Sequence, residues 1–196
     1  MVRGERSPRG DHAHRVRTTL VDVALDLFSA QGYDATTTDE IAKAAGVSTR
    51  TFFRYFPTKQ SILFFGAYDF IQGFRGVYLA QPTSVSDVDA MTESFASLAI
   101  GLKRIRRRVS LYQKAVANSL VLRGQEGHDQ DVEAQIVAMA VAERRGLPAP
   151  DAAAEVLAGV GLLLLDRAIK RWVSVPDHTV DDLVRHEFAA LSAALR

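Results

Sequence analysis

Apolar residues recur at steps of three and four along almost the whole chain, and this spacing constrains the fold more than any other feature of the sequence. Near the N-terminus, for example, one stripe contains Val16, Leu20, Val23 and Leu27. An α-helix repeats every 3.6 residues whereas a strand alternates every two, so the spacing indicates helices. We therefore expect an all-α fold of about nine helices with almost no strand.

Composition excludes several classes of protein. Hydrophobic residues make up 47% of the 196 residues, which is enough for a core and argues against global disorder. The absence of cysteine excludes a disulfide framework and a thiolate metal site. The first fourteen residues contain no apolar run, and the longest run, Val156 to Leu165, is shorter than the roughly 20 residues that a membrane helix needs. We expect a soluble cytoplasmic protein with no membrane segment.

Charge is distributed unevenly although the net charge is only +1. Residues 1–17 contain five arginines and two acids, and residues 48–59 contain Arg50, Arg54 and Lys59 without any acid. By contrast, residues 126–196 contain 12 acids and 7 bases. A basic N-terminal part and an acidic C-terminal part are typical of a protein whose N-terminal part binds a polyanion. The alternative is chance clustering of the charges.

Two short helices are predicted around a glycine turn. Thr37 and Glu40 have the spacing of a capping box, which satisfies the free backbone donors at a helix start. Gly46 ends this helix, Ser48 caps the next one, and Pro57 closes it. Such a unit is a compact helix-turn-helix, whose second helix fits the major groove of DNA.

The second helix of this unit carries candidate DNA-contacting side chains. Phe52 and Phe56, four residues apart, share a face that we expect to pack against the first helix. Arginines can pair with guanine, and an exposed Phe53 can meet a thymine methyl group, while hydroxyls and a lysine suit phosphates. The alternative for each charge is a plain solvated side chain. The residues expected to contact DNA are Thr38, Ser48, Thr49, Arg50, Phe53, Arg54, Tyr55 and Lys59.

The segment GYDATTTDEIAKAAGVSTRTFFRYFPTKQSIL resembles the DNA-binding signature of the TetR family of one-component regulators. The resemblance covers about residues 13–65, and residues 66–196 match only in helix count and order. It implies a bacterial, all-helical homodimer that represses transcription from an inverted-repeat operator and is released by a small-molecule effector. The same DNA-contacting positions follow from it. Arg54 stands where many relatives have tyrosine, so the preferred base cannot be transferred.

The resemblance also implies a domain organisation. We expect a flexible basic arm over residues 1–14, a helix-turn-helix DNA-binding domain over 15–60, and a helical-bundle domain for ligand binding and dimerisation over 61–196. The last two helices are apolar enough for a four-helix dimer interface, and the alternative is that both are buried within one monomer. The expected dimer residues are Val156, Val160, Leu163, Leu164, Leu183, Val184, Phe188 and Leu191.

The effector site is the least specified part of the sequence. An apolar or aromatic effector between the middle helices is the expectation, and ordinary core packing is the alternative. The candidate lining residues are Phe95, Leu98, Tyr112, Val116, Asn118, Met139 and Trp172. The basic run from Lys103 to Arg108 either binds an anionic ligand or forms a solvated face.

An enzyme and an architectural DNA-binding protein are the two alternatives to a regulator. The sequence contains no glycine-rich phosphate loop, no nucleophile elbow and no HExxH zinc motif, so an enzyme, a cofactor or a catalytic metal has no positive support. An architectural DNA binder relies on overall positive charge, and the near-neutral total and acidic C-terminal half argue against that class.

Overall fold

A computed structural model describes residues 8–63, 67–175 and 177–195, with side chains outside 8–11, 67–69 and 125–129. Nine α-helices and two 3₁₀ segments are present over these residues, and no strand occurs among them, as the apolar period predicts. None of the helices in these ranges is long and apolar enough to cross a membrane. The helices are α1 Pro8–Gln31, α2 Thr38–Ala44, α3 Thr49–Tyr55, α4 Ala67–Leu79, α5 Asp87–Ala99, α6 Arg106–Ala117, α7 Leu120–Arg144, α8 Ala152–Ser174 and α9 Val180–Ala194.

The chain folds as two compact units. The first contains the described residues of 1–65 together with Leu111–Arg123, and the second contains those of 66–110 and 124–196. This division differs from the single boundary at residue 60 that the sequence predicts, because the end of α6 and the start of α7 pack with the N-terminal helices. Ala115, Val116 and Leu122 are buried in the same apolar cluster as Leu20 and Phe52.

The start of α1 also differs from the sequence expectation. Residues 8–14, expected within a flexible arm, belong to α1, and a proline such as Pro8 is tolerated in the first turn because that turn needs no N–H donor there. Residues 1–7 lie outside the described residues. Further along the chain, α6 and α7 are separated at 118–119, where the Ser119 hydroxyl accepts a hydrogen bond from the Leu122 N–H at 3.4 Å.

The core of the second unit contains a cluster of aromatic side chains together with many alanines. The Phe74 ring lies 4.6 Å from that of Phe95 and 5.1 Å from that of Tyr78, measured between centroids. Gly161 of α8 packs so closely on α5 that a Cβ there would overlap the sulfur of Met91. This close approach leaves no room for a side chain at position 161.

Arg144 organises the connection between α4 and α5. Its side chain is only 6% exposed, and its guanidinium donates hydrogen bonds to the carbonyl oxygens of Gln81 at 2.9 Å and Pro82 at 2.6 Å. Asp87 accepts hydrogen bonds from the Tyr78 hydroxyl at 2.8 Å and from Arg145 Nε at 2.7 Å. The buried ends of these groups are therefore satisfied by partners distant in sequence.

Candidate nucleic-acid interface

The capping box predicted at the start of α2 is confirmed. The Glu40 N–H donates to the Thr37 hydroxyl at 3.2 Å, and the Thr37 N–H donates to the Glu40 carboxylate at 2.8 Å. The backbone hydrogen bond from Thr37, followed by that from its hydroxyl, lowers the pKa of Glu40 below its ordinary value. These contacts fix where α2 begins.

The turn between α2 and α3 also follows from its sequence. Gly46 has φ +70°, a left-handed conformation that glycine adopts without a side-chain clash. Ser48 caps α3 by accepting a hydrogen bond from the Thr51 N–H at 3.1 Å. The Thr49 hydroxyl donates to Asp39 of α2 at 2.6 Å, which ties the two helices together at their N-terminal ends.

Helix α3 has one buried face and one exposed face. Phe52 and Phe56 are 0% and 3% exposed, as their spacing predicts, and they anchor the helix in the core of the first unit. Arg50 and Arg54 are exposed, and Phe53 is 48% exposed. The solvent-facing side of α3 therefore presents a half-exposed phenylalanine together with two arginines.

Two arginines lie against Tyr55 at the end of α3. The Arg54 Cζ is 4.8 Å from the centre of the Tyr55 ring, and its Nη2 donates to the Tyr55 hydroxyl oxygen at 3.3 Å. The Arg17 Cζ, from α1, is 5.6 Å from the same ring centre. The sequence analysis counted Arg17 only as part of a basic N-terminus. Arg17 is three positions from Leu20, so helical periodicity places the two on neighbouring faces of α1 and gives no signal that Arg17 contacts Tyr55.

Lys59 has a structural role that the sequence does not predict. We expected its ammonium group to be available to phosphate, but its Nζ donates to the carbonyl oxygens of Tyr33 and Thr36, each at 2.8 Å. The ammonium also lies 4.1 Å from the centre of the Tyr33 ring. Burial lowers the pKa of Lys59, partly opposed by the charge of Asp34. Lys59 therefore fixes the loop between α1 and α2.

The residues expected to line an effector site are not brought together in either unit. Tyr112 and Val116 pack in the core of the first unit, while Phe95, Leu98 and Trp172 pack in that of the second. Met139 is 58% exposed. Asn118 is also exposed, and its side-chain amide donates to the Lys114 carbonyl oxygen at 2.9 Å. Ordinary packing thus accounts for the buried members of this set.

The basic run from Lys103 to Arg108 is partly committed to internal contacts. Lys103 pairs with Asp181 at 2.9 Å, and the Arg106 guanidinium donates to the Trp172 carbonyl oxygen at 2.7 Å. The Arg106 Cζ also lies 5.2 Å from the Trp172 ring centre. These contacts explain part of the run as a structural feature of the second unit.

The expected dimer residues divide into buried and exposed sets. Half of them belong to the core of the second unit, at 7% exposure or less, and do not form an outer face: Leu164, Leu183, Val184 and Phe188. Val156 and Leu163 of α8 are 65% and 58% exposed, and Val160 and Leu191 are partly buried. The alternative of burial within the monomer thus describes the first set, and an exposed apolar face remains on α8.

The segment Leu111–Arg123 is the largest feature of the first unit that sequence reasoning missed. The Ser119 hydroxyl donates to Asp34 at 3.2 Å, and Lys114 Nζ donates to the Ser29 hydroxyl at 3.2 Å. Both pairs are separated by 85 residues in sequence. No local pattern reports such a pairing.

Sequence families match both parts of the chain. Residues 20–64 match the family described as "Bacterial regulatory proteins, tetR family", and residues 89–196 match the MftR C-terminal domain. The second match alone covers more than half of the chain.

Curated relatives match the N-terminal part. The chain is 35% identical over 92 residues to the HTH-type transcriptional regulator TcmR of Streptomyces glaucescens, covering 47% of this chain and 39% of that protein. It is 41% identical over 59 residues to the putative mycofactocin biosynthesis transcriptional regulator MftR of Mycobacterium tuberculosis, covering 28% of this chain and 30% of that protein. The matches thus span less than half the length of these relatives.

Among solved structures, a TetR-family transcriptional repressor, FadR of Thermus thermophilus, in complex with lauroyl-CoA, superposes with a TM-score of 0.56 at 25% identity. That match covers 89% of this chain and 92% of the other. The helix order, the capped helix-turn-helix and the family matches at both ends agree, and the chain belongs to the TetR family of bacterial transcriptional regulators.

Proposed function

We propose that this chain is a homodimeric repressor that binds an inverted-repeat DNA operator through α3 and leaves it when a small apolar or aromatic effector binds. The observation that carries the DNA part is the two-faced helix α3. Phe52 and Phe56 are buried and fix its position, while Arg50 and the half-exposed Phe53 are presented to solvent. Arginine reads guanine and phenylalanine meets the thymine methyl group in the major groove.

The remaining proposed contacts go to the DNA backbone. Ser48 and Thr49 lie at the N-terminal end of α3, where backbone N–H groups suit a phosphate, while the Thr49 hydroxyl already donates to Asp39. Thr38 occupies the corresponding position at the start of α2. Lys59 keeps the third hydrogen of its ammonium group after its two carbonyl contacts, so its proposed DNA role is secondary to its structural one.

A direct test begins with selecting genomic duplexes that the purified chain binds. The affinity for a selected duplex is then compared with that for a shuffled duplex of equal composition, by fluorescence anisotropy. We expect a preference of at least about a thousandfold and an inverted repeat in the selected sequences. Equal affinity for the two duplexes, or a single asymmetric half-site, would contradict the proposal.

Arg50→Ala tests the reading face itself. Loss of a bidentate contact to guanine should lower the preference for the selected duplex by about 1–3 kcal/mol while leaving the shuffled duplex less affected. Arg104→Ala, at an exposed arginine of the second unit, is the matched control and should change neither affinity. If Arg50→Ala kept the wild-type preference for the selected duplex, Arg50 would not contact bases in the major groove.

The proposed dimer interface uses the exposed part of α8. Val156 and Leu163 are two helical turns apart and share a face, on which an apolar surface is costly in water. Leu163→Glu should convert the dimer to monomers in sedimentation velocity, whereas Val85→Glu, at a half-exposed loop valine, should not. A Leu163→Glu dimer of unchanged stability would contradict this interface.

The proposed effector is supported by the apolar composition of the second unit and by the lauroyl-CoA complex of the T. thermophilus relative. Because α5 and α8 approach closely at Gly161, an effector that enters between them must stabilise a rearranged state of the second unit. An effector shifts the operator equilibrium only by its difference in affinity for the two states, and a shift from about 99% to 1% bound needs about 5.5 kcal/mol. Lauroyl-CoA and free aromatic acids are suitable probes, with operator affinity as the readout. If none alters it at saturation, the effector part fails.

A further inference from the structure

The contacts of Tyr55 divide the arginines near α3 into two kinds. Among the described residues the Arg50 guanidinium lies over no aromatic ring, whereas those of Arg54 and Arg17 both lie within 6 Å of the Tyr55 ring centre. Arg54 also donates a hydrogen bond to the Tyr55 hydroxyl oxygen. The Arg54 side chain is therefore directed along the surface toward its neighbour in sequence.

A stacked arginine is well suited to a fixed anion. Stacking on an aromatic ring restricts the planar guanidinium group, so less side-chain entropy is lost when it binds a ligand. Within the described ranges, neither Arg17 nor Arg54 is hydrogen-bonded to a carboxylate, and both are exposed. Two cations beside one aromatic ring, whose hydroxyl is in contact with Arg54, thus offer several donors for an oxyanion.

The two arginines come from different helices of the same unit. Arg17 lies on α1 and Arg54 on the DNA-reading helix α3. The phosphates of DNA form a continuous line of oxyanions on either side of the groove that an inserted helix enters. A basic pair at the end of such a helix is suited to this line, whereas a base edge requires an arginine extended into the groove.

We propose that Arg17, Arg54 and Tyr55 form one binding site for the phosphodiester backbone of DNA. Arg54 then strengthens binding to any duplex and does not choose a base, so that base choice falls to Arg50 and Phe53. This assignment replaces the sequence-based interpretation of Arg54 as a base reader and adds Arg17 to the interface. It rests on the proposed DNA-binding function.

The test measures affinity for the selected and the shuffled duplex between 50 and 200 mM NaCl. Arg17→Ala and Arg54→Ala should each weaken both duplexes by the same factor, roughly tenfold, because a charge-assisted contact is lost. Each should also lower the slope of log K against log salt by about 0.9, the change for one phosphate contact. Arg54→Lys keeps the charge without the planar stacking, so it should retain the wild-type slope but bind several-fold more weakly.

Arg50→Ala is the comparison variant, since it should lower affinity for the selected duplex far more than for the shuffled one. If Arg54→Ala behaved in that way and kept the wild-type slope, Arg54 would be a base reader and the site would be wrong. An Arg17→Ala variant with wild-type affinity and slope would also overturn the site. A wild-type chain without any preference between duplexes would instead refute the proposed function. Circular dichroism melting of each variant confirms that the fold is retained.

Discussion

The helix-turn-helix and the second unit differ in how far apart in sequence their stabilising polar contacts lie. In the helix-turn-helix, the contacts that place α2 and α3 join residues three to ten positions apart, as in the Thr37–Glu40 box and the Asp39–Thr49 bond. In the second unit, Asp87 pairs with Arg145 across 58 positions and Glu93 with Arg185 across 92. The arrangement of α2 and α3 is thus determined by residues close in sequence, whereas the contacts of the second unit form only when the whole unit is folded.

This difference teaches where mutations should act. Locally determined side chains of α3 are free to serve a ligand, because few distant groups depend on them. Side chains in the second unit stabilise one another, and their loss should appear first as lost stability. The following predictions test that contrast, beginning with the largest expected effect.

Phe95→Ala should lower the free energy of unfolding of the second unit by about 3–5 kcal/mol, because Phe95 is fully buried against Phe74 and Phe188. Urea unfolding followed by the fluorescence of Trp172, the single tryptophan, measures this loss. Phe53→Ala, at a half-exposed phenylalanine, is the matched control and should change stability by less than about 1 kcal/mol. Similar losses in the two variants would remove the contrast.

Asp87→Asn should cost about 1.5–3 kcal/mol near pH 7, because it weakens charge-assisted bonds to Arg144 and Arg145. Desolvation alone would raise the pKa of Asp87, but the hydrogen bonds from Arg145 and Tyr78 outweigh it and lower that pKa. A carboxylate with a lowered folded-state pKa contributes fully above its unfolded value of about 3.9, and this contribution is lost as pH falls through the folded value.

The difference between wild type and Asp87→Asn should therefore be largest near neutral pH and shrink as the pH falls below about 4. Urea unfolding at several pH values provides the measurement. Asp177→Asn, at an exposed carboxylate, should match wild type throughout. If the loss of stability in Asp87→Asn did not depend on pH, Asp87 would stabilise the fold through its shape and not through its charge.

Lys59→Met should destabilise the loop between α1 and α2 by about 1–3 kcal/mol, because two partly buried carbonyl oxygens lose their donor. Hydrogen exchange of residues 32–37 should accelerate, while Lys43→Met, at an exposed lysine of α2, should leave it unchanged. If Lys59→Met instead kept wild-type exchange and only lowered the salt slope of DNA binding, Lys59 would be a phosphate contact.

Thr49→Val should have the smallest effect, about 0.5–1.5 kcal/mol, since it removes one exposed hydrogen bond to Asp39. A double-mutant cycle with Asp39→Ala isolates that bond from other changes. A coupling energy near zero between Thr49 and Asp39 would show that the two helices are placed by their apolar contacts alone.

Sequence reasoning was accurate where structure is determined by near neighbours. It predicted the capped start of α2, the Gly46 turn, the Ser48 cap and the burial of Phe52 and Phe56. Each of these depends on residues within four positions, for which caps, glycine conformations and helical period are direct physical signals.

It was incomplete where the outcome depends on distant partners. Lysine is a residue type that binds phosphate, and only the folded loop shows that the Lys59 ammonium group donates hydrogen bonds to two carbonyl oxygens. Leu183 of α9 and Leu163 of α8 both lie in apolar stripes of the sequence, yet Leu183 is 3% exposed and Leu163 is 58% exposed. Tyr112 likewise packs in the first unit. Periodicity identifies an apolar face without identifying what covers it.

The inclusion of Leu111–Arg123 in the first unit has a consequence for recombining members of this family. A DNA-binding module transplanted as an uninterrupted N-terminal segment would leave behind Ala115, Val116 and Leu122, which complete its core. A hybrid regulator that pairs this module with a foreign sensor should therefore inherit both pieces, including the Ser119 partner of Asp34. The heritable module for DNA recognition is discontinuous in the gene, and crossovers that respect only the N-terminal boundary should yield poorly folded hybrids.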